Sequence, residues 1–226
     1  MVPQQKRTKQ ATGTIKISNR QSSTQKATLK SYLILGKSCG FFVNNTLTTF
    51  HAITKMDYKT FETDRLLIRP TTEDDAEFIF ALLNTKKWIE YIGDRHVKTI
   101  ESAKNYIAVK MRPQLERLGF SNYTLILKAN SQKIGTCGLY NRAGLAGIDI
   151  GFALLPDYEK MGLAFEAANR IKKAAFDDFQ LKTISGLTTK ENLSSQKLLE
   201  KLGLKRVGTT TLPNDPEILL LYKLEK

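Results

Sequence analysis

The chain has 226 residues, 41% of them hydrophobic and 25% charged, which is the composition of an ordinary globular protein. No apolar run reaches the roughly 18 residues that a membrane-spanning helix needs, so the sequence predicts no membrane span. Its two cysteines are too few for a disulfide framework and offer no zinc-ligand spacing. We therefore expect no metal site and a reduced, cytoplasmic setting.

The net charge of +13 is concentrated near the start of the chain. Residues 1–55 contain nine of the 35 Lys and Arg residues and no Asp or Glu, and their first part has the Ser, Thr, Gln and Lys content of a disordered tail. We therefore divide the chain into a basic extension, residues 1–56, and a folded domain, residues 57–226. The extension is open to three interpretations: an arm that binds nucleic acid or the ribosome, a transit peptide, or a leader before a true start at Met56. We favour the leader.

Short strands and helices alternate in the remaining part of the chain. A strand at residues 65–70 ends at a proline, and the helix after it has Thr72 as the expected N-cap, followed by acidic residues. The next helix begins near Thr99. We expect Pro113 to perturb this helix and Gly119 to end it.

The second half of the domain contains a β-α-β crossover between antiparallel hairpins. The expected elements are strands at 122–129 and 133–140, which form a hairpin, a strand at 147–155, a helix at 162–179, a strand at 182–189, a helix at 193–203, and strands at 204–209 and 217–224. This order predicts an α/β (α+β) domain with a mixed sheet.

Gly162 lies where the crossover strand passes into its helix. A helix N-terminus presents free backbone N–H groups and a positive dipole end, so it binds anions readily. Glycine lets the chain approach a pyrophosphate closely, and Ala164 adds little bulk. The alternative is ordinary turn chemistry, because glycine is common at any junction of this kind.

A second strand-to-helix junction follows about 30 residues later, at Asn192. Its side chain is suited to cap the helix and also to bind a ligand lying between the two strands. Ser195, in the first turn, offers a hydroxyl group. A plain helix cap and a solvated serine are the alternatives.

Four ordered segments resemble the GNAT N-acetyltransferases, and in particular the RimJ/RimL ribosomal-protein acetyltransferases. They are "TDRLLIRPTTEDDAEFI", "GTCGLY", "IDIGFALLPDYEKMGLAFEA" and "ENLSSQKLLEKLGLKRVG". The resemblance runs from about Phe61 to the C-terminus and leaves residues 1–56 unexplained. It implies a mostly antiparallel sheet, flanked by helices, whose central parallel strand pair splays apart.

The resemblance also implies acetyl-CoA as co-substrate, lying between the splayed strands. Its pantetheine arm would follow the edge of the first strand, and its diphosphate would lie on the glycine turn. The cofactor-binding residues implied are Ala153, Leu154, Leu155, Lys160, Met161, Gly162, Leu163, Ala164 and Asn192. Ser195 would lie close to the sulfur.

The chain departs from the family pattern in the diphosphate turn, where it has Glu159, Lys160 and Met161. The ammonium of Lys160 suits a phosphate, whereas a carboxylate at Glu159 repels one unless it points away. This departure keeps open a second hypothesis, a catalytically silent acyl-CoA-binding or sensing module.

The reaction implied by the resemblance is direct transfer of acetyl from a thioester to an amine. The amine must become neutral and the leaving thiolate must be stabilised or protonated. We expect Asp149 to act as the base, with a solvent-facing or substrate-binding role as the alternative. Ser195 is the candidate acid.

The loop between the first two helices contains candidate acceptor-binding residues. Asp94 is suited to bind an amine and Arg95 a carboxylate or phosphate, although a local ion pair between them is the alternative. The expected partner is a small-molecule or peptide amine. The sequence leaves both the acceptor and the choice between monomer and homodimer open.

Overall fold

A computed structural model of the chain describes residues 57–213 and 215–226. The predicted basic extension, residues 1–56, lies outside the described residues. Within them, eight strands form one sheet: β1 (Phe61–Glu62), β2 (Leu66–Pro70), β3 (Asn122–Leu127), β4 (Lys133–Tyr140), β5 (Ile148–Leu154), β6 (Thr183–Thr188), β7 (Lys205–Leu212) and β8 (Asp215–Glu225). Their order in the sheet is β1-β2-β3-β4-β5-β6-β8-β7.

Six α-helices accompany the sheet within the described ranges. They are α1 (Ala76–Leu83), α2 (Lys86–Tyr91), α3 (Ile100–Tyr106), α4 (Arg112–Leu118), α5 (Leu163–Asp177) and α6 (Leu193–Lys201). No helix in the part of the chain that the structure describes is long and apolar enough to cross a membrane.

Proline and glycine shape the helical layer as the sequence predicts. A wide π turn at Ile107–Met111 separates α3 from α4 just before Pro113, which lacks an N–H and would clash with a regular helical carbonyl. Gly119 then ends α4 in a left-handed conformation, with φ of 77°. The short helix α2 was not predicted, because six residues carry too little periodic signal.

The sheet is mixed, and its one parallel pair opens along its length. β5 and β6 pair in parallel through only two residues each, Ile148 with Ile184 and Asp149 with Ser185. β5 continues to Leu154 paired with β4, and β6 continues paired with β8. The strands therefore part after Asp149, which confirms the expected splayed pair at the centre of the sheet.

The two faces of β5 contribute to different layers, because side chains alternate along a strand. Ile148 and Ile150 are buried with the apolar face of α5, in the larger core cluster. Ala153 packs instead against a cluster formed by α1, α3 and their connections. The split between β5 and β6 is thus flanked by α5 on one face of the sheet and by α1–α3 on the other.

Candidate functional site

The turn before α5 has the conformation expected of an anion cradle. Gly162 is the N-cap of this fifteen-residue helix and has φ of 77°, a left-handed conformation that side chains rarely adopt. Lys160 also has a positive φ, of 59°. The turn thereby exposes the N-terminal N–H groups of α5 at the edge of the split.

Arg65 and Glu166 hold this turn in place. Arg65 Nη1 donates to the Met161 carbonyl at 3.0 Å, and Arg65 Nε donates to Glu166 Oε2 at 2.7 Å. Glu166 Oε1 accepts from the Thr63 hydroxyl at 2.6 Å. Burial raises the pKa of Glu166, but the hydrogen bonds from Thr63 and Arg65 outweigh this effect and hold the pKa below its ordinary value.

A cavity of about 250 Å³ lies between this turn and α6. Its lining combines apolar side chains, including Leu154 of β5, with three lysine residues, Lys160, Lys197 and Lys201. Lys201 Nζ lies 4.2 Å from the centre of the Phe165 ring, so it remains near the turn as a fixed positive charge. The cavity is therefore largely apolar and has three basic residues in its lining.

The edge of β5 next to the cavity has unpaired backbone groups. Leu155 N–H donates to the Ile134 carbonyl on the β4 side at 2.8 Å. Because N–H and C=O groups alternate in direction along a strand, those of Leu154 point toward β6, which has already diverged. Leu154 thus offers one donor and one acceptor to an extended ligand.

Glu159 is neutralised by an ion pair rather than facing the turn alone. Its carboxylate pairs with Lys87 of α2. The repulsion that the sequence suggested for an anionic ligand is therefore offset by a cation that lies 72 residues away in sequence.

Asn192 caps α6 as predicted. Its Oδ1 accepts from the Ser195 N–H at 3.0 Å, and no hydrogen bond engages its Nδ2 among the described residues. The side chain that lines the cavity is Ser194, one position before Ser195. A role for Ser195 as the acid stays a prediction.

Asp149 is buried, not exposed on the strand surface. Its side chain is 2% exposed, and Arg142 Nε donates to both of its oxygens, at 2.8 and 3.0 Å. Burial raises the pKa of Asp149 above its ordinary value although the guanidinium opposes the shift. The raised pKa suits a base, whereas the burial and the occupied oxygens favour a positioning role. The assignment as base stays a prediction.

Arg142 is the functional candidate that the sequence analysis missed. It lies in the loop after β4, and its Cζ is 5.0 Å from the centre of the Tyr140 ring. Tyr140 and Asp149 are direct partners in the β4–β5 ladder, so the hairpin register brings the three side chains together. The signal available in the sequence was only an arginine two residues beyond a strand end.

Asp94 and Arg95 do not form the local pair that we considered. Asp94 accepts from the His96 N–H at 2.7 Å and from Lys98 Nζ at 2.8 Å. Lys98 is the main cause of the lowered pKa of Asp94. No hydrogen bond or ion pair holds Arg95 within the described residues. Binding of an acceptor by either residue stays a prediction.

The arrangement fits an elongated anionic ligand with an amide-bearing arm. The left-handed turn and the lysines suit a diphosphate, the apolar cavity walls suit a flexible chain, and the open edge at Leu154 suits amide groups. These are the chemical parts of acetyl-CoA. The residues present therefore fit this co-substrate.

The comparisons with known proteins agree with this geometry. Residues 65–205 match the family described as "Acetyltransferase (GNAT) domain". The chain is similar to the "Uncharacterized N-acetyltransferase YoaA" of Bacillus subtilis (strain 168), with 28% identity over 148 residues, which are 65% of this chain and 83% of that protein.

Solved structures share the fold. A GNAT-family acetyltransferase from Bacillus anthracis superimposes with a TM-score of 0.62 at 24% identity, covering 74% of this chain and 98% of its own. The ribosomal-protein-S5-alanine acetyltransferase of Vibrio fischeri gives 0.63 at 20% identity, with coverages of 74% and 96%. The aminoglycoside acetyltransferase AAC(6')-Ib, solved in complex with coenzyme A, gives 0.59 at 20%, with coverages of 71% and 95%. The family match extends over more than half of the chain, and the chain belongs to the GNAT acetyltransferase family.

Proposed function

We propose that the protein transfers an acetyl group from acetyl-CoA directly to a primary amine of a protein N-terminus or a small molecule. The observation that carries the proposal is the split between β5 and β6, with the left-handed Gly162 turn and the cavity lined in part by lysines beside it. Family membership supports acetyl transfer in general, and the site supports this co-substrate.

Both backbone and side-chain groups of this chain would bind acetyl-CoA. The N–H groups of residues 160–164 and the ammonium of Lys160 would bind the diphosphate, and Lys197 and Lys201 would add positive charge. The free backbone groups of Leu154 and the Nδ2 of Asn192 would bind the pantetheine amides. The backbone donors are already held by the turn, by α5 and by β5, so they lose little ordering entropy on binding, whereas the lysine side chains lose more.

Acetyl-CoA supplies, when bound, the thioester carbonyl carbon that the neutral amine attacks. The acceptor amine would reach it from the face of the sheet that carries Asp149, since the cavity occupies the other face. Asp149 or solvent would accept the amine proton, and the Ser195 hydroxyl would donate toward the departing sulfur. Both roles are predictions, and substitution of Asp149 tests the first of them.

The RimJ/RimL-like branch is a further part of the proposal. It rests on the four sequence segments and on structural likeness to the Vibrio fischeri enzyme at 20% identity. The names of the similar structures mention a ribosomal protein and an aminoglycoside. They therefore favour an amine acceptor without deciding its class.

Calorimetry and steady-state thiol release together test the proposal. We expect acetyl-CoA to bind with one molecule per chain, and free thiol to appear only when a suitable amine from a panel of amino acids, peptides, polyamines and aminoglycosides is added. Binding without turnover on every amine would instead identify a silent acyl-CoA-binding module. Failure to bind acetyl-CoA would refute the assignment of the site.

A further inference from the structure

The guanidinium of Arg142 is fixed in position while its outer nitrogens are left without partners. Only Nε is engaged, by the two oxygens of Asp149. Within residues 57–213 and 215–226, no hydrogen bond joins Nη1 or Nη2 of Arg142 to another group. The side chain is 33% exposed, and neither outer nitrogen is fully buried. Arginine stays cationic at all ordinary pH values.

A hydrogen-bonded chain fixes the ring on which Arg142 lies. The Tyr140 hydroxyl bonds to Asn122 Oδ1 at 2.5 Å, and Asn122 Nδ2 donates to the Thr71 hydroxyl at 2.8 Å. Asn122 and Thr71 are both buried. Two independent supports, the Asp149 carboxylate at Nε and the hydrogen-bonded Tyr140 ring 5.0 Å from Cζ, therefore hold one guanidinium. Preorganisation of this kind is typical of groups that contact a ligand.

One of the free nitrogens, Nη2, lies against β5 at the level where β5 and β6 begin to part. Nη2 is 3.8 Å from the place that a Cβ on Gly151 would occupy, and Gly151 follows the last parallel-paired residue, Asp149, by two positions. Asp149 and Gly151 share one face of β5, and Leu154, which lines the cofactor cavity, belongs to the opposite face. Arg142 therefore flanks the split on the face that we assign to the acceptor.

We propose that Arg142 binds a carboxylate of the acceptor, so that the substrate is an amine that also carries a carboxylate, and that Asp149 positions Arg142. This inference rests on the proposed acetyl transfer. A guanidinium with two free nitrogens binds a carboxylate through two parallel hydrogen bonds. Because Asp149 already pairs with this guanidinium, a carboxylate of charge −1 leaves less excess negative charge beside Asp149 than a phosphate of about −1.5 to −2 would.

Matched acceptors test the inference, with thiol release measured for free amino acids and for the corresponding amino-acid amides. For the amino acid that is acetylated fastest, we expect the wild-type protein to have a higher kcat/KM for the free acid than for its amide. Arg142→Gln should lower kcat/KM for that acid by about 10- to 100-fold, chiefly by raising KM. The same substitution should change kcat/KM for the amide by less than about threefold. Arg142→Lys should recover only part of the loss, because it keeps the charge and lacks the planar fork.

Asp149→Asn separates positioning from general-base catalysis. A positioning role predicts a raised KM for the acid, nearly unchanged turnover of the amide and an unchanged pH profile of kcat. A base predicts loss of kcat for both acceptors and a changed pH profile. Arg206→Gln, exposed on β7 at the far edge of the sheet, is the matched control, and thermal melting verifies that each variant is folded.

Three outcomes would overturn the inference. The first is equal kcat/KM of the wild-type protein for acid and amide, and the second is an equal loss of kcat/KM for both acceptors in Arg142→Gln. The third is a wild-type protein that prefers ethanolamine phosphate to ethanolamine but shows no preference for an amino acid over its amide. If no acceptor turns over, calorimetric titration of the acid and the amide into the coenzyme A-saturated protein makes the same comparison. Calorimetry with acetyl-CoA alone shows separately whether the proposed function fails.

Discussion

A negative charge introduced at position 162 tests the diphosphate turn and separates effects on folding from effects on binding. Gly162 has φ of 77°, and among the described residues a Cβ placed on it would contact only Arg65 Nη2, at 3.5 Å, an ordinary van der Waals distance. A side chain therefore fits sterically, and its cost is conformational. Asn and Asp have nearly the same shape, and both tolerate the left-handed conformation better than other residues do. The pair Gly162→Asn and Gly162→Asp thus isolates one negative charge.

The expected magnitudes have opposite signs for stability and for binding. Either substitution should cost about 1 kcal/mol in conformational free energy, or about 2–4 °C in Tm. Asp should recover about 0.3–1 kcal/mol relative to Asn, because a carboxylate stabilises a helix N-terminus. The same carboxylate competes with an anionic ligand, so Gly162→Asp should bind acetyl-CoA more weakly than Gly162→Asn by about 1–3 kcal/mol, or about 5- to 150-fold.

Differential scanning calorimetry gives the two Tm values, and isothermal titration gives the two affinities for acetyl-CoA. The account requires the Asp variant to melt no lower than the Asn variant while binding much more weakly. Equal affinities of the two variants would show that the diphosphate does not bind at this turn, whatever the stabilities.

Three other predictions concern the groups that support the site. Glu166→Gln should weaken acetyl-CoA binding severalfold, because Arg65 loses the carboxylate that orients it toward the turn; titration calorimetry that finds wild-type affinity would contradict this. Lys87→Ala should also weaken binding by leaving Glu159 uncompensated, and adding Glu159→Ala should restore it; a double-mutant cycle with no coupling would refute the ion-pair argument. Burial opposes ionisation of Asp75, but hydrogen bonds from Arg69, Lys133 and the Thr72 N–H outweigh it and lower its pKa from 3.8 to about 2. The ionised carboxylate therefore contributes about 2 kcal/mol above pH 4 that is lost as the pH falls toward 2. Denaturant unfolding of Asp75→Asn should show lower stability at neutral pH and a smaller loss across that window.

Matched controls are available on two other helices. Glu116→Gln on α4 removes an exposed carboxylate, and Lys104→Ala on α3 removes an exposed ammonium. Both should leave acetyl-CoA affinity unchanged. A general change of net charge would instead affect the controls and the test variants alike.

The sequence predicted the parts of this structure that depend on local rules. Proline and glycine positions gave the perturbed helix near Pro113 and its end at Gly119, and apolar periodicity gave the crossover through α5. The splayed strand pair followed from the family resemblance, since nothing local in β5 or β6 shows where two strands part.

Contacts between distant residues were not predictable in the same way. Arg65 and Glu166 are 101 residues apart, and Lys87 and Glu159 are 72 apart, with no sequence signal that links either pair. The burial of Asp149 depends on Arg142 across a hairpin. The alternating pattern of a strand does not show whether a charged side chain faces solvent or is buried in an ion pair with a residue of a loop.

Transfer of an isotopically labelled acetyl group tests the central claim most directly. The protein would be incubated with acetyl-CoA carrying ¹³C in the acetyl group and with the amine panel, and mass spectrometry would locate the label in the products. The account predicts label on an amine nitrogen of the acceptor, with an equal amount of free coenzyme A. Tight binding of acetyl-CoA with no labelled amine from any member of the panel would contradict the claim that this site carries out acetyl transfer.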